Sequence, residues 1–329
     1  MERLRTPAVE ALFVLLRNAL GGDSRPVLLD GPGWDEMLDM AREQTVTGLV
    51  FQGVSRLPSI VKVPDRVLFR LMMEADRIKR RSTQVQAAAR QLVTQYREAG
   101  LHPVLLKGPS IAALYPEPLL RESGDIDFYF PPEEFEAAAR MTGDRPAPDG
   151  SVHGTQDGID IDLHRHYFDL HVRAERLPEV TSPEAVLLML SAHIRKHCMG
   201  AGIGLRQLCD MAVAYRALDF DKDRLEQVYR QTGTLRWNRL LSAFLNRWLG
   251  ADAPFGEGTD PAPLLRIVLA GGNFGHHATS RKEALQDNPF RRKLDTSIRF
   301  LRRLPFSLRY APQEFLPTVG DLFRGNLQP

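Results

Sequence analysis

The chain has 329 residues, of which 43% are hydrophobic and 26% are charged. These proportions are ordinary for a globular protein, so they exclude an intrinsically disordered chain and a disulfide-rich scaffold. The 43 basic and 41 acidic residues leave a net charge of +2, which argues against a surface that tracks extended nucleic acid.

The first hundred residues have the periodicity of helices, with apolar residues three and four positions apart. The apolar run at 11–16 lies between Glu10 and Arg17 and is too short for a signal peptide or a bilayer span. We expect the segment to end in an amphipathic helix over about 77–99, capped by Gly100. Residues 1–100 are therefore predicted to form an N-terminal helical region.

Short apolar runs that suit buried strands follow, at 103–106, 126–130 and 158–164. A helical turn is expected at 110–115, and a second helix begins after Pro131. In the last of the three runs, alternation places the apolar residues on one face and the polar residues Asp160, Asp162 and His164 on the other. Residues 101–180 are predicted to form a small mixed β-sheet.

The remaining chain, residues 181–329, is predicted to be a C-terminal helical domain with a basic tail. A capping sequence at 181–184 begins a helix, and further helices are expected at 205–218, 223–231 and 235–249. The two cysteines, Cys198 and Cys209, lie in this helical part, and we interpret them as reduced packing residues of a cytoplasmic protein. The predicted fold class is α+β, a small mixed sheet flanked by N-terminal and C-terminal helical regions.

Two carboxylates with i, i+2 spacing, Asp125 and Asp127, come at the start of the second predicted strand. Side chains at this spacing point to the same side of a strand, and like charges so close repel unless a cation lies between them. An isolated Asp-x-Asp is more often a solvated strand edge. Here Asp162, on another predicted strand, can supply a third oxygen ligand of the kind that Mg²⁺ prefers, with Mn²⁺ as a substitute.

The segment around Lys107, Gly108 and Ser110 runs from a strand through a glycine-containing turn into a helix. Such a turn presents backbone N–H groups to an anion, and the lysine and serine add a charge and a hydroxyl, as a triphosphate requires. Arg121, four residues before Asp125, is expected either to clamp a phosphate, to hold a metal-binding carboxylate in place, or to lie on a solvated loop.

The motifs resemble those of the uncharacterised nucleotidyltransferase family of the polymerase-β superfamily. The matching segments are 106–108, 115–118 with Arg121, 124–127 and 161–164, and His193 and the 205–210 helix match the family's helical half. The resemblance spans about residues 101–218. It implies a two-metal transferase that uses an NTP, with ATP as the first choice, and a small-molecule or peptide acceptor, and that releases pyrophosphate.

One departure concerns the phosphate turn. Better-known members of the superfamily have Gly-Ser or Gly-Gly where this chain has 107–110, Lys-Gly-Pro-Ser. The atoms that hold the β- and γ-phosphates therefore stay open.

Three further residues have two interpretations each. His164 either orients the attacking group or is a hydrogen-bonded histidine at a strand end, and His193 either reaches the nucleotide site or lies in the core. Asp210 either forms an intrahelical ion pair with Arg206 at i, i+4 or acts as a structural tie or acceptor-site residue. A zinc site around 193–198 is the weaker reading, because its two histidines lack the glutamate of a His-Glu-x-x-His motif.

Two alternatives remain open from the sequence. The basic tail at 290–310 is expected either to face water or to contact an anionic membrane or an acidic partner. The whole chain is read either as an enzyme or as a catalytically inactive binding scaffold. Replacement of both Asp125 and Asp127 by Asn is expected to abolish turnover and to leave stability nearly unchanged or higher, because two repelling charges are removed.

Overall fold

The computed structural model describes residues 6–22, 25–143, 151–200, 202–271 and 303–313. The helices are α1 (Pro7–Ala19), α2 (Gly31–Glu43), α3 (Thr47–Ser55), α4 (Asp65–Glu98), α5 (Pro109–Ala112), α6 (Pro132–Thr142), α7 (Pro183–Met199), α8 (Leu205–Ala217), α9 (Lys222–Gln231), α10 (Leu235–Phe244) and α11 (Ala262–Gly271). Short 3₁₀ helices cover Pro118–Leu120 and Ala174–Arg176, a π-helical turn covers Leu245–Leu249, and residues 303–310 are helical. In the described part of the chain, no helix combines the length and the apolar character needed to cross a bilayer.

The strands are β1 (Val104–Leu105), β2 (Ile126–Tyr129), β3 (Val152–Gln156) and β4 (Ile159–His164). They form a mixed sheet in the order β1-β2-β4-β3, with β2 and β4 parallel and both outer pairs antiparallel. The α+β class and the small mixed sheet between helical regions are thereby confirmed. The sheet brings β2 and β4, which are distant in sequence, side by side at its centre.

Strand β3 was missed, because its residues Val-His-Gly-Thr-Gln were read as part of a loop. Its composition is weakly strand-like, with Val152 as its one large apolar residue. The available signal was the turn that joins it to β4. Asp157 and Gly158 both have positive φ angles, of 52° and 70°, and Asp-Gly is a preferred pair for two-residue hairpin turns.

Helix α4 has 34 residues and begins twelve positions before the predicted start at 77. Pro64 is its N-cap and Asp65 supplies an acidic side chain in its first turn, both of which favour a helix start. Its first half buries Val67 and Leu71 in a core of helices, and its second half buries Val85 against the sheet. The single helix therefore spans both cores of the molecule.

The sheet core is rich in aromatic residues. The ring of Tyr96 at the end of α4 makes edge contacts with Phe128 and Phe130 at centroid distances of 5.5 and 4.9 Å, and α6 contributes the fully buried Phe135. These residues hold the apolar face of the sheet against α4 and α6. The polar side chains of β2 and β4 therefore face the opposite side of the sheet.

The other core combines the N-terminal and C-terminal helices. Phe13 of α1 packs against Trp248 at a ring-centroid distance of 4.8 Å and against Phe244 of α10. Arg17 donates hydrogen bonds to the carbonyl oxygens of Arg247 and Trp248. The division into 1–100, 101–180 and 181–329 stays a prediction, and these contacts show that its first and third parts share one hydrophobic core.

Candidate functional site

Two of the three predicted acids face each other on the two central strands, and the third precedes one of these strands. The parallel register of β2 and β4 sets Asp127 directly opposite Asp162, while the alternating residues Ile126 and Phe128 are buried in the sheet core. Asp125 comes just before β2, and together with Asp127 and Lys107 it lines a narrow cleft between the sheet and helices α7 and α8. The strand pairing thus brings Asp127 and Asp162 together, whereas Asp125 is not part of the close group of possible metal ligands.

Asp127, Asp162 and His164 each offer a ligand atom, and these atoms lie within 4.8 Å of one another. Among the residues described, this is the one group of three such side chains close enough to hold an ion. Asp127 is 1% exposed, and its Oδ2 atom is buried without a hydrogen-bond partner in the described structure. A buried carboxylate oxygen that lacks a partner, beside a second carboxylate, is a donor set that suits Mg²⁺ or Mn²⁺.

Two cationic or hydrogen-bonding groups hold Asp127 in its ionised form. Lys107 Nζ lies 3.2 Å from Asp127 Oδ1, and His164 Nε2 lies 2.8 Å from the same oxygen. Burial alone would raise the pKa of Asp127, but Lys107 and His164 outweigh it and hold this pKa below its ordinary value. Burial acts to lower the pKa of Lys107, yet the charges of Asp127 and Asp125 raise it above the ordinary value.

Asp162 has a partner that sequence reasoning did not single out. His153 lies opposite Asp162 in the β3–β4 pairing, and its Nδ1 is 2.7 Å from Asp162 Oδ1 while its Nε2 is 2.9 Å from Ser151 Oγ. His153 was missed because its strand was missed. The Asp157-Gly158 hairpin signal would have placed it beside Asp162.

The predicted phosphate turn lies directly against the acids. Gly108 has a φ of 71°, and a Cβ atom added there would lie 3.2 Å from the carbonyl oxygen of Asp125, so a side chain at this position would be strained and crowded. Lys107 and Gly108 line the cleft, whereas Ser110 is not among the lining residues and its Oγ is buried without a partner in the described structure. Contact between Ser110 and a phosphate stays a prediction.

Arg121 and Asp210 form a buried bidentate ion pair across the cleft wall. Arg121 Nε and Nη2 donate to the two Asp210 oxygens at 3.1 and 2.7 Å, and Tyr115 donates its hydroxyl to Asp210 Oδ1 at 2.7 Å. Burial opposes the charge of Arg121, but Asp210 raises its pKa above the ordinary value. Of the interpretations left open for Asp210, the intrahelical pair with Arg206 is the wrong one, because Arg121 of the loop before β2 occupies both carboxylate oxygens.

The same pair rules out the solvated-loop interpretation of Arg121. Arg121 is 5% exposed, so it does not lie on a solvated loop, and its Nη1 donates to the carbonyl oxygen of Glu122. Tyr115 is 4% exposed and committed to Asp210. Helix α8 therefore anchors the loop that leads into Asp125 through Asp210, which supports the reading of Asp210 as a structural tie.

Helix α7 brings His193 to the edge of the site. His193 Nδ1 is 3.5 Å from Lys107 Nζ and 3.6 Å from Asp169 Oδ2, and its ring contacts that of His197 at a centroid distance of 4.4 Å. Cys198 is buried, and burial raises the pKa of its thiol to about 12. The described side chains at 193–198 do not form a group of three ligand atoms close enough to hold an ion. His193 thus faces the cleft rather than a zinc site.

His197 is expected to make stability depend on pH. Burial, followed by the charges of His193 and Lys107, lowers the pKa of His197 well below 6.5. The unfolded chain takes up this proton near pH ~6.5 and the folded chain does not, so the contribution is lost as the pH falls through about 6.5. We expect His197→Gln to flatten the fall in urea midpoint between about pH 8 and pH 5.5.

The control for this change is His166→Gln, since His166 is exposed. It should leave the pH dependence of the urea midpoint as in the unchanged protein. An equal slope in the unchanged protein and in His197→Gln would show that His197 titrates alike in the folded and unfolded chains.

The basic tail predicted at 290–310 lies mostly outside the described residues, and only 303–310 of it are described. Arg303 does not face water there. Its Nη1 donates to the carbonyl oxygens of Cys198 and Gly200 at the end of α7, where a cation complements the C-terminal end of the helix.

The parallel strands β2 and β4 thus present facing carboxylates close to a glycine turn. The family model described as an uncharacterised nucleotidyltransferase matches residues 30–250, and the chain belongs to this family. The match includes all four strands and extends from the start of α2 to the π-helical turn after α10. No curated protein and no solved structure matches the chain.

Proposed function

We propose that this protein transfers a nucleoside monophosphate from an NTP to a hydroxyl or phosphate of a small-molecule or peptide acceptor, with Mg²⁺ and the release of pyrophosphate. The observation that carries this proposal is the in-register pairing of Asp127 with Asp162 on parallel strands, with a buried Asp127 oxygen that lacks a partner. Membership of the nucleotidyltransferase family supports the same class of reaction.

The acids would hold the metal in a defined arrangement. Asp125 and Asp127 would bind both ions and Asp162 one of them, and His164 would keep Asp127 ionised and oriented through its hydrogen bond. The bound ions would supply charge neutralisation along the triphosphate and a more acidic acceptor hydroxyl. Mn²⁺ has the same preference for carboxylate oxygens and is expected to substitute.

The donor would lie on the Lys107 side of the acids. Lys107 and the N–H groups of the Gly108 turn would bind the phosphates, and Lys107 is the one cleft cation that already contacts Asp127. Ser110 would add its hydroxyl only if the turn moves. Arg121 would act by holding the loop before Asp125 in place, since Asp210 and a backbone carbonyl engage its three nitrogens.

The acceptor would approach from the Asp162 side, which His153 and His164 flank. The acceptor oxygen would form a bond to the α-phosphorus of the NTP while the bond from that phosphorus to the bridging oxygen breaks, and pyrophosphate leaves with the electron pair. The proton of a hydroxyl acceptor would pass to Asp162 or to solvent. His193, which contacts Lys107 at the α7 side, would help to position the donor.

The test is pyrophosphate release from ATP, CTP, GTP and UTP with Mg²⁺, in the presence of cell-extract metabolites and peptides as acceptors. We expect Asp162→Asn to lower the rate strongly, because the ligand that faces Asp127 loses its charge. Asp160→Asn is the matched control, since Asp160 lies on the same face of β4 but is exposed and bonded to Thr155. It should retain the full rate.

Two outcomes would contradict the proposed function or the role of Asp162. Equal rates for Asp162→Asn and Asp160→Asn would remove Asp162 from the site. No pyrophosphate with any NTP and no thermal shift with Mg²⁺ or Mn²⁺ would favour the inactive scaffold instead.

A further inference from the structure

Three cationic side chains line the cleft beside the acids, namely Lys107, Arg121 and Arg206. Two of them have a carboxylate partner. Lys107 contacts Asp127 at 3.2 Å, and Arg121 is held by Asp210 at 2.7 Å. Among the described residues, no carboxylate oxygen lies within ion-pair distance of Arg206. The cleft therefore contains one cation whose charge is not matched by a direct partner.

Two carboxylates near Arg206 are engaged elsewhere. Asp210, one turn farther along α8, gives both oxygens to Arg121, and the Glu122 carboxylate accepts the backbone N–H of Thr47 at 2.7 Å. Arg206 Nη1 donates to the carbonyl oxygen of Glu122 at 3.0 Å, but its Nε is buried without a hydrogen-bond partner in the described structure. A buried guanidinium nitrogen without an acceptor is costly and calls for an anion.

The charges around Arg206 agree with its lack of a carboxylate partner among the described residues. Burial, and then the charge of Arg121, lower the pKa of Arg206, and the attraction of Asp210, Asp125 and Glu122 does not restore it. The guanidinium still carries its charge at neutral pH, because an unperturbed arginine pKa is far above 7. The positive charge of Arg206 is therefore only partly compensated by the neighbouring carboxylates.

We propose that Arg206 binds the β- and γ-phosphates of the donor nucleotide. Helix α8 would thus supply a phosphate-binding side chain in the same cleft as the Gly108 turn. The inference rests on the proposed function and deepens it. Arg206 and Lys107 line one cleft with Asp125 and Asp127, and a planar guanidinium can give parallel hydrogen bonds to phosphate oxygens. Arg206 takes the clamping role that the sequence suggested for Arg121.

The experiment measures binding without turnover. Calorimetry in Mg²⁺ with the α,β-methylene analogues of the four NTPs, and with the four NMPs, gives affinities for the unchanged protein and for Arg206→Gln. Loss of a charged hydrogen-bond donor is expected to weaken NTP-analogue binding by about 10- to 100-fold. NMP affinity should stay the same, because an NMP has no β- or γ-phosphate.

The matched control is Arg230→Gln on α9, whose side chain is exposed and paired with Glu226 away from the cleft. It should bind every ligand like the unchanged protein. Equal NTP-analogue affinity in Arg206→Gln and the unchanged protein, or an equal loss for NTP analogues and NMPs, overturns the role of Arg206 alone. Absence of all nucleotide binding in the unchanged protein overturns the proposed function as well.

A structural effect of the change is tested separately, because Arg206 also bonds the Glu122 carbonyl. If thermal unfolding shows that Arg206→Gln does not fold, Arg206→Lys takes its place, since lysine keeps the charge and loses the planar fork. We expect several-fold weaker NTP-analogue binding at an unchanged melting temperature. NTP-analogue affinity equal to that of the unchanged protein would then overturn the proposal.

Discussion

Asp127→Asn is expected to lower the rate of pyrophosphate release by about 10³-fold or more at saturating NTP and Mg²⁺. Metal ions stabilise a phosphoryl-transfer transition state by several kcal/mol, and each ~1.4 kcal/mol is a factor of ten in rate. Asp127 is the most buried of the three acids and faces Asp162 directly, so it is the ligand that the site can least replace. The measurement is steady-state pyrophosphate release with the best NTP.

Stability must be measured on the same variant, because the contacts of Asp127 lead to a different expectation from the one drawn from the sequence for the double replacement of Asp125 and Asp127. Asp127 does not simply repel Asp125, since Lys107 and His164 both contact it. Its lowered pKa means that its ionised form contributes stability above its ordinary pKa of ~3.9, and that this is lost as the pH falls toward the folded value. Asp127→Asn should therefore be less stable at neutral pH, and a more stable variant would contradict this account.

The activity measurement needs a control in which the same Asp-to-Asn change is made outside the proposed metal-binding residues. Asp160→Asn removes a carboxylate from the same sheet face and should keep both the rate and the melting temperature. If Asp127→Asn folds and retains more than about a tenth of the rate, a loss of less than ~1.4 kcal/mol, Asp127 is not a metal ligand.

Asp210→Ala is expected to destabilise the protein by about 3–5 kcal/mol, which is the usual cost of breaking a buried ion pair from one side. The change leaves the Arg121 guanidinium buried, at 5% exposure, with no carboxylate to compensate it. It also removes the acceptor of the Tyr115 hydroxyl. The measurement is the free energy of unfolding in urea at neutral pH.

Two controls separate burial from charge in that experiment. Glu226→Ala breaks the exposed i, i+4 pair with Arg230 on α9 and should cost no more than about 0.5 kcal/mol. The double change Arg121→Met with Asp210→Leu removes both charges and should recover much of the lost stability. A loss below about 1 kcal/mol for Asp210→Ala would mean that the pair is not buried in solution.

The helical flanks and the central strands could be predicted because local patterns specify them. Strand β4 alternates strictly, and Ser182 caps α7 by accepting the N–H of Ala185. The extent of α4 was harder to predict, because its first half reads as a separate short helix until it is packed against α3. Strand β3 depends on pairing with β4, a long-range contact that its own residues hardly indicate.

The site was predictable to the level of its acids and the glycine turn, because their spacing expresses strand geometry directly. The partners of Arg121 and Asp210 were not, since 89 residues separate them and local spacing instead suggested the neighbour Arg206. His153 was hidden for the same reason as its strand. Side chains that meet across elements depend on the tertiary fold, which a single sequence does not display.

Helix α4 also limits where the chain can be truncated. Because Tyr96 and Val85 cover the apolar side of the sheet, a fragment that starts at residue 101 would expose Phe128 and Phe130 to water. The smallest fragment that keeps these side chains covered consists of the sheet together with helix α4. A truncation that is meant to keep the acids on a folded sheet is therefore expected to require helix α4.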